Sequence, residues 1–454
     1  MTYQEENNKL VESFFDHTFG KGYRHPELKE SENFRSLEIF FNDKCNLACK
    51  YCYLQRFGDK LYPKELQDGK KLIENLGLFL DWLDEKEYVP NHIEIFSGEV
   101  FIQDAGWKAI DMILDRYKGR EKKTEFLVVP TNFTFILSPD LTQKVENVLE
   151  KARDIGLPMG LSSSFDGKYC EANRPFKSGK EIRDDAYYDK VFQFSKKWGT
   201  GFHPMVYSEH IENWEKNWLW FQENFTKYRL PWRNIYLLEV RNVEWTDKQM
   251  EDFGKFMEFL IRWTFKYPCG GDLEAYTKFL FDGGYNILRN PLTSIGRGIG
   301  CSIQSAMALR LGDLSWVPCH RTSYSPFNFG HFKVENGKIT GFEAKNTDML
   351  TAMYSFDAST QPWCEQCLLK SLCSFGCLGS QLEVTGDPFT PIPSVCQLEH
   401  IKVGAMLKAY RELGILEPIL SKINQTKADA LMEIEKMLYP QKSGFDTKAP
   451  GGII

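Results

Sequence analysis

Three cysteines, Cys45, Cys49 and Cys52, lie within eight residues of this 454-residue chain. The segment just before them, from Ser36 to Phe41, has the apolar pattern of a buried strand. A loop that leaves a strand can fold three thiolates around one centre. Cysteine thiolates normally hold each iron of a 4Fe-4S cluster, so three of them leave one iron open to a ligand from outside the protein. The spacing therefore favours an iron–sulfur cluster with an open coordination position.

Zinc and disulfide bonds are the alternatives for these cysteines. A closed zinc site needs four ligands, usually in CxxC pairs, and no His or Cys follows Cys52 closely enough to complete one. The chain opens with polar residues and has no secretory signal, so we expect a cytoplasmic protein. Twelve cysteines in such a protein indicate metal binding more than disulfide bridges.

The CxxxCxxC spacing, with Tyr51 before the last cysteine, resembles the radical S-adenosylmethionine superfamily. The resemblance implies that Cys45, Cys49 and Cys52 hold a 4Fe-4S cluster whose open iron chelates S-adenosylmethionine. An electron from the cluster would then cleave a carbon–sulfur bond, and the 5′-deoxyadenosyl radical would take hydrogen from the substrate. That chemistry belongs to the cofactor, which the protein positions and shields from water. The resemblance also implies that Tyr51 lies near the adenine and that a flavodoxin or ferredoxin donates the electron.

The composition limits the function classes. The chain is 42% hydrophobic, enough for a large core, and its length predicts two or three domains. A net charge of −6 with both signs mixed argues against a nucleic-acid-binding surface. No apolar run approaches the ~20 residues of a membrane span, so we expect no membrane insertion.

Strand and helix patterns alternate from residue 36 to residue 265. Each predicted strand is followed by a predicted helix, which makes six units and implies a parallel sheet with helices outside. Six units rather than eight predict a partial (β/α)6 TIM-like barrel, which the superfamily resemblance also implies. The predicted strands are 36–41, 92–96, 126–129, 159–163, 202–207 and 235–240, and the predicted helices are 63–87, 105–117, 139–155, 185–198, 211–228 and 246–265.

Polar motifs follow the predicted strands, at the edge where parallel barrels carry their chemistry. The segment after strand two resembles the family's Gly-Gly-Glu motif for the methionine amino group, with Ser97 in place of the first glycine. The segment after strand four resembles an element that contacts the ribose or the substrate, and Arg174 matches an arginine for the methionine carboxylate, which its forked guanidinium suits. The residues implied to bind S-adenosylmethionine are Tyr51, Ser97, Gly98, Glu99, Thr131, Asn132, Ser164, Asp166 and Arg174.

Seven more cysteines lie between residues 301 and 396. A zinc ribbon is the alternative for their CxxC pair, but their full spacing resembles the SPASM extension of radical S-adenosylmethionine enzymes, which carries two auxiliary 4Fe-4S clusters. The resemblance implies an outer cluster held by Cys364, Cys367, Cys373 and Cys396. It implies an inner cluster held by Cys301, Cys319 and Cys377. The chain would then hold three 4Fe-4S clusters in all.

The inner cluster lacks an obvious fourth ligand, because residues 302 to 318 contain no cysteine. Either Cys269 supplies the fourth ligand from upstream, or one iron is open. In the second case, the inner cluster binds the substrate or accepts an electron from the substrate radical. Cys170, between Asp166 and Arg174, is either a hydrogen donor or an ordinary packed thiol. His320 stands where sulfatase maturases carry an Asp, and a histidine is able to accept a proton near neutral pH. Asp166, Cys170 and His320 are thus the candidate catalytic residues.

These patterns predict an accessory segment at 1–34, the barrel at 35–268, the SPASM domain at 269–400 and C-terminal helices with a tail at 401–454. The resemblance implies an oxidoreductase that modifies a ribosomally made peptide, most simply by a thioether or carbon–carbon crosslink. Oxidation of a protein Ser or Cys side chain, as in sulfatase maturases, is the alternative enzyme function. A zinc-stabilised binding module without catalysis is the alternative of another class. With only 35 residues before the first strand, we expect either a separate leader-recognition protein or direct recognition of the substrate.

Overall fold

A computed structural model describes residues 2–19, 36–121, 124–282, 285–293, 306–373 and 375–439. Cys301 lies outside the described residues. The first half of the chain alternates strand and helix, as the sequence predicts. Its strands are β1 (Ser36–Phe40), β2 (His92–Phe96), β3 (Phe126–Thr131), β4 (Met159–Ser163), β5 (Gly201–Phe202), β6 (Met205–Val206) and β7 (Leu238–Glu239). Its helices are α1 (Tyr3–Phe19), α2 (Tyr53–Leu61), α3 (Gly69–Glu85), α4 (Asp104–Tyr117), α5 (Pro139–Asp154), α6 (Asp185–Trp198), α7 (Trp214–Tyr228) and α8 (Asp247–Lys266).

Strands β1 to β5 pair in parallel in chain order, and β6 and β7 form a separate parallel pair. Local chemistry explains where several helices start. Asp68 caps α3 with its side chain, Ser138 caps α5 ahead of Pro139, and Thr246 caps α8 through a capping box. The predicted partial barrel with outer helices is therefore confirmed.

Four details differ from the predicted elements. The predicted strand 235–240 is reduced to the two residues of β7. Helix α2 begins directly after Cys52, where no helix was predicted. It buries Leu54, Gly58 and Leu61 on one face, but nine residues are shorter than the window in which such a period predicts a helix. The predicted helix 63–87 is a 3₁₀ turn, Lys64–Leu66, followed by α3, because Asp68 interrupts it and caps the second part. The predicted strand 202–207 is divided between β5 and β6 by His203 and Pro204, and proline cannot donate a ladder hydrogen bond.

The second half of the chain continues the same sheet. Strand β8 pairs in parallel with β1, and β8 to β11 follow as antiparallel neighbours, which gives one nine-stranded sheet. The sheet thus crosses the domain boundary predicted after residue 268. The elements are β8 (Ala306–Arg310), β9 (Ser315–Val317), β10 (Gly330–Glu335) and β11 (Lys338–Ala344), with helices α9 (Leu273–Phe281), α10 (Asn286–Thr293), α11 (Thr347–Ser355), α12 (Leu378–Thr385), α13 (Pro393–Glu412), α14 (Leu416–Leu420) and α15 (Gln425–Leu438).

Helix α1 covers the extended end of this sheet. Phe15 packs against Trp82 of α3, Trp316 of β9 and Phe332 of β10, with ring centroids 5.0–5.6 Å apart. Burial of these rings accounts for part of the high aromatic content, since each aromatic side chain buries about 150–250 Å². Within the ranges given above, no helix is both long and apolar enough to cross a membrane.

Candidate active site

One large cavity, of about 560 Å³, opens at the carboxyl ends of the barrel strands. Its wall contains all three cysteines of the first cysteine loop (residues 45–52) and also Cys319 and Cys377 from the second half of the chain. Two groups of thiols far apart in sequence therefore face one space. Seven of the nine residues implied to bind S-adenosylmethionine line the same cavity, namely Tyr51, Ser97, Gly98, Thr131, Asn132, Ser164 and Arg174.

The first cysteine loop is fixed by backbone hydrogen bonds to the segment around Arg174. The Ala48 N–H donates to the Pro175 carbonyl (2.8 Å), and the Lys50 N–H donates to the Asn173 carbonyl (2.9 Å). Cys52 ends the loop at the N-cap of α2, where the partial positive charge of a helix N-terminus favours a thiolate. The same contacts that hold the cysteines thus also bring Arg174 to them.

The thiols of this loop are largely buried. Burial raises the pKa of Cys45 to about 11 and that of Cys49 to about 12, so both are protonated at neutral pH unless a cation binds. Two groups point hydrogen-bond donors at Cys45 Sγ, namely the Leu47 N–H at 3.4 Å and Asn132 Nδ2 at 3.6 Å. These donors would stabilise a metal-bound thiolate.

The Ser97-Gly98-Glu99 turn runs beside the first cysteine loop as an extension of the sheet. The Gly98 N–H donates to the Asn42 carbonyl (3.0 Å), and the Glu99 N–H donates to the Lys44 carbonyl (2.8 Å). A Cβ at Gly98 would lie 2.4 Å from the Lys44 carbonyl oxygen, so glycine is required here. The Ser97 side chain, in contrast, makes a hydrogen bond that a glycine could not make, because its Oγ donates to Asn42 Oδ1 at 2.9 Å.

Glu99 lies behind the cavity wall and is 2% exposed. Its carboxylate accepts hydrogen bonds from the Asn132 N–H (2.6 Å), Thr131 Oγ1 (2.9 Å) and the Phe101 N–H (3.2 Å). The carboxylate therefore ties the end of β3 to the turn after β2. Its implied contact with the methionine amino group stays a prediction.

Tyr51, Asp166 and Arg174 form a connected group. Tyr51 Oη donates to Asp166 Oδ2 (2.6 Å), and Arg174 Nη1 donates to Tyr51 Oη (3.4 Å). Burial raises the pKa of Asp166 to about 7, although Arg174 lowers it. Asp166 is fully buried and also accepts from the Met205 N–H at 2.9 Å. It holds Tyr51 from behind instead of lining the cavity, and its implied substrate contact stays a prediction.

Two ionisable residues of the cavity wall, Glu38 and Glu94, were not predicted from the sequence, and they lie beside the predicted His320. Glu38 and Glu94 are register partners on β1 and β2, and His320 Nδ1 lies 2.8 Å from Glu38 Oε2. The His320 ring stacks on Phe96 with centroids 3.8 Å apart. Burial and the neighbouring Glu38 raise the pKa of Glu94 to about 7, while His320 lowers it. The signal in the sequence was a charged residue at the centre of two apolar strands, Leu-Glu-Ile and Ile-Glu-Ile.

The cysteines of the second half lie at the starts of turns and helices. Cys319 precedes the 3₁₀ turn His320–Thr322, and its N–H donates to Thr322 Oγ1 at 3.1 Å. Cys377 is the N-cap of α12. A Cβ on Gly379 would lie 2.4 Å from the Arg321 carbonyl oxygen, so α12 packs tightly on that turn. Of the three cysteines implied for the inner cluster, the described residues therefore bring two to the cavity.

The remaining implied cluster ligands, Cys364, Cys367, Cys373 and Cys396, do not line the cavity. Burial raises the pKa of Cys396 to about 11, with further increases from Cys364 and Cys367, so these three thiols are neighbours. Burial also raises the pKa of Cys373 to about 12, and Glu399 of α13 adds to this increase. Their assignment to one outer cluster stays a prediction.

Two other cysteines lie apart from the cavity. Cys170 is fully buried in the hydrophobic core, as the packed-thiol alternative predicts, and it does not line the cavity. That location gives no support to a role as hydrogen donor. Cys269 lies near Tyr276 and Tyr285. Burial is the main reason that the pKa values of both tyrosines are raised, and the Cys269 thiol raises them further. It is not among the residues of the cavity wall, so its role as a fourth ligand stays a prediction.

The cavity wall fits a polar cofactor and an iron–sulfur cluster. Three polar atoms of the wall are buried and have no hydrogen-bond partner among the described residues: Arg174 Nε, His203 Nε2 and Tyr53 Oη. Arg174 Nε nevertheless lies within ion-pair distance of Glu171 Oε1, at 3.3 Å. Such atoms call for a ligand with acceptor groups. Across the described ranges, no three His, Cys, Asp or Glu residues are placed to hold a single metal ion. A cluster differs from such a site, because each thiolate binds its own iron.

Comparisons with known proteins agree with this description. No protein-family model matches the chain. It is 25% identical over 169 residues to the radical SAM cyclopropyl synthase TigE of Paramaledivibacter caminithermalis, a match that covers 32% of this chain and about a third (34%) of that protein. Its fold is similar to that of anSMEcpe with bound AdoMet, with a TM-score of 0.55 at 14% identity over 88% of this chain and 98% of that one. A second anSMEcpe structure, with bound AdoMet and the Cp18Cys peptide, gives a TM-score of 0.52 at 14% identity over 84% and 99% of the two chains.

The cysteine spacing, the partial barrel, the cavity and both comparisons lead to the same family. They confirm the resemblance on which the sequence analysis rests: this chain is related to the radical S-adenosylmethionine enzymes and has the fold of those with a SPASM extension.

Proposed function

We propose that this protein is a radical S-adenosylmethionine oxidoreductase that modifies a side chain of a peptide, most simply by forming a crosslink. One observation carries the proposal: the first cysteine loop, Cys319 and Cys377 line a single cavity at the carboxyl ends of the strands. A substrate in that cavity would lie between two groups of thiols. The proposal of a peptide substrate is supported by the similar structure of anSMEcpe, which contains a peptide.

The residues of the chain have distinct tasks in this proposal. Cys45, Cys49 and Cys52 would hold the cluster, and Arg174 would bind the methionine carboxylate through its forked guanidinium. When bound there, S-adenosylmethionine would supply the radical chemistry that removes hydrogen from the substrate. Tyr51 is oriented by Asp166 and closes the wall beside Arg174, which helps to exclude water.

Oxidation of a protein Ser or Cys side chain is the second candidate, and one observation favours it. That reaction also removes a proton, and His320 with its partner Glu38 is positioned at the cavity wall to accept one. The products distinguish the two functions. A crosslink removes two hydrogens and leaves two residues joined on fragmentation, whereas oxidation leaves a carbonyl that reacts with a hydrazine.

A basic pocket beside the first cysteine loop supports the expected electron donor. A second pocket shares Cys45 and Asp43 with the cavity wall, and five basic but two acidic side chains line it. The five are Lys44, Arg56, Lys60, Lys64 and Lys177. In a chain of net charge −6, this local positive charge suits an acidic protein such as a flavodoxin.

The test begins with anaerobic purification. Three cubane clusters give a brown protein with about 12 iron atoms per chain. Replacement of Cys45, Cys49 and Cys52 by Ala should remove about 4 of these irons and abolish 5′-deoxyadenosine formation with a chemical reductant, because each cubane contains four irons. Circular dichroism checks that the variant is folded. A colourless zinc protein, or 5′-deoxyadenosine from the folded triple variant, would refute the proposal.

A further inference from the structure

The side chain of Glu94 lies inside the barrel, below the rim of the cavity. Side chains alternate along β2, so the fully buried Ile93 and Ile95 lie on one face of the strand, while Glu94 and Phe96 line the cavity on the other. Glu94 precedes Ser97 of the turn after β2 by three residues, which is about 10 Å along an extended strand. A substrate group that contacts Glu94 must therefore reach well past the rim.

Glu94 is a carboxylate for which the cavity wall supplies no cation. The three arginines of the described wall and His320 each lie beside a carboxylate of their own. These pairs are Arg174–Glu171 (3.3 Å), Arg241–Glu239 (2.9 Å), Arg321–Glu383 (2.5 Å) and His320–Glu38 (2.8 Å). The Glu94 side chain, in contrast, has no hydrogen bond or ion pair with any of the described residues, and its register partner on β1 is another carboxylate, Glu38.

Apolar side chains line the way from the rim to Glu94. The register partner of Glu94 on β3 is Val128. Two residues closer to the rim, Phe96 on β2 and Pro130 on β3 both line the cavity. Apolar walls that lead to one carboxylate suit a long side chain with a methylene stem and a charged tip, as in lysine and arginine.

A second polar atom of the wall also lacks a partner. Tyr53 Oη is buried and accepts no hydrogen bond from the described residues. The Tyr53 ring lies 6.1 Å from the ring of His320, which in turn stacks on Phe96. Tyr53 therefore belongs to the same part of the wall as Phe96. A phenol oxygen can accept a hydrogen bond, so it offers a further acceptor to an ammonium or guanidinium group, which carries several donors.

We propose that Glu94 is a specificity-determining residue that binds a basic side chain, lysine or arginine, of the peptide substrate. The inference rests on the proposed function, because it names the class of peptide that the cavity takes. The Glu94 carboxylate accepts charge-assisted hydrogen bonds from the cationic tip, while the stem packs between Phe96 and Pro130. Glu94 selects the substrate in this way and makes or breaks no covalent bond.

Selection from a library of random peptides tests the proposal, because the substrate sequence need not be known. The library is offered to the anaerobic full-length enzyme with S-adenosylmethionine but no reductant, so that no turnover occurs, and the bound peptides are sequenced. The wild-type enzyme should enrich lysine or arginine at one position about tenfold, since hydrogen bonds between charged groups are stronger than neutral ones. E94Q should lose this enrichment.

Three further variants separate recognition from structure. E94D keeps the charge and should still enrich basic residues, whereas E94K should enrich acidic residues in their place. E335Q removes the same charge from an exposed site at the end of β10 and should select as the wild type does. Damage to the fold would instead lower the iron content and the binding of every peptide, without changing which residue is selected.

The outcomes distinguish this inference from the proposed function. If the wild-type enzyme forms 5′-deoxyadenosine but enriches no basic residue, the inference is wrong and the proposed function stands. It is also wrong if E94Q or E94K enriches basic residues as strongly as the wild type. If the wild-type enzyme with a reductant forms no 5′-deoxyadenosine, the proposed function itself fails.

Discussion

The first cysteine loop and the second group of cysteines are held in place in different ways. The loop spans eight residues and is fixed by backbone hydrogen bonds to neighbouring segments, such as that from Lys50 to Asn173. The second group is spread over about eighty residues, from Cys319 to Cys396, and is joined to the barrel by buried charges. In that region Lys402 lies between Glu239 of β7 and Glu399 of α13. A compact motif needs only local geometry, whereas a dispersed one needs long-range ionic contacts.

The largest effect should come from breaking the buried charge network. In K402M, Glu239 and Glu399 lose a cation that lies 3.3 and 2.6 Å from them, at a position only 1% exposed. Loss of one partner of a buried ion pair costs about 3–5 kcal/mol of unfolding free energy. Urea unfolding of the anaerobic protein measures this, and auxiliary iron should be lost with it.

K408M is the matched control on the same helix. Lys408 also pairs with a barrel glutamate, Glu258 at 2.8 Å, but its side chain is 46% exposed. The expected loss is below about 1 kcal/mol, as for other exposed pairs. Equal losses in the two variants would contradict the distinction drawn between the regions.

A smaller effect is expected at the first cysteine loop. R174K keeps the charge but loses the fork that suits a carboxylate, so the KM for S-adenosylmethionine should rise about tenfold, equivalent to about 1.4 kcal/mol. R183K is the control, since Arg183 is equally buried and pairs with Glu171 (2.6 Å) without lining the cavity. If the KM for S-adenosylmethionine is unchanged in R174K, Arg174 does not bind the cofactor.

An effect on the pH dependence of stability is expected where the two regions meet, at Glu94 and His320. Burial raises the pKa of Glu94 to about 7, so the folded protein holds this proton more tightly than the unfolded chain. Its contribution to stability is therefore complete below about pH 4.5 and is lost as the pH rises to about 7 and above. E94Q should abolish this loss, which for a pKa raised from 4.5 to about 7 amounts to about 3 kcal/mol.

Urea unfolding across this pH interval measures the difference between E94Q and the wild type. E335Q changes an exposed glutamate at the end of β10 and should follow the wild-type curve. If E94Q followed it as well, Glu94 would not titrate in this range.

Most of the barrel could be predicted from the sequence, because its strands and helices have strong apolar periods and alternate regularly. The family resemblance also pointed to the correct loops, since Tyr51, Gly98 and Arg174 all reach the cavity. Spacing alone could not show that Asp166 and Glu99 lie behind the wall, because burial depends on contacts with distant segments. The pairing of β8 with β1 was not predicted either, since 265 residues separate Phe40 from Ala306 and no local pattern reports such a contact.

That pairing has a consequence for synthesis on the ribosome. Strand β1 emerges early, but one of its two edges finds its partner only after β8 has been translated. Until then a nascent chain presents an open, apolar sheet edge directly ahead of three reactive thiols, a combination prone to aggregation. Contacts so distant in sequence also form slowly. A shortened chain ending before residue 306 would keep that edge exposed permanently, so the barrel is not expected to survive excision as an independent module.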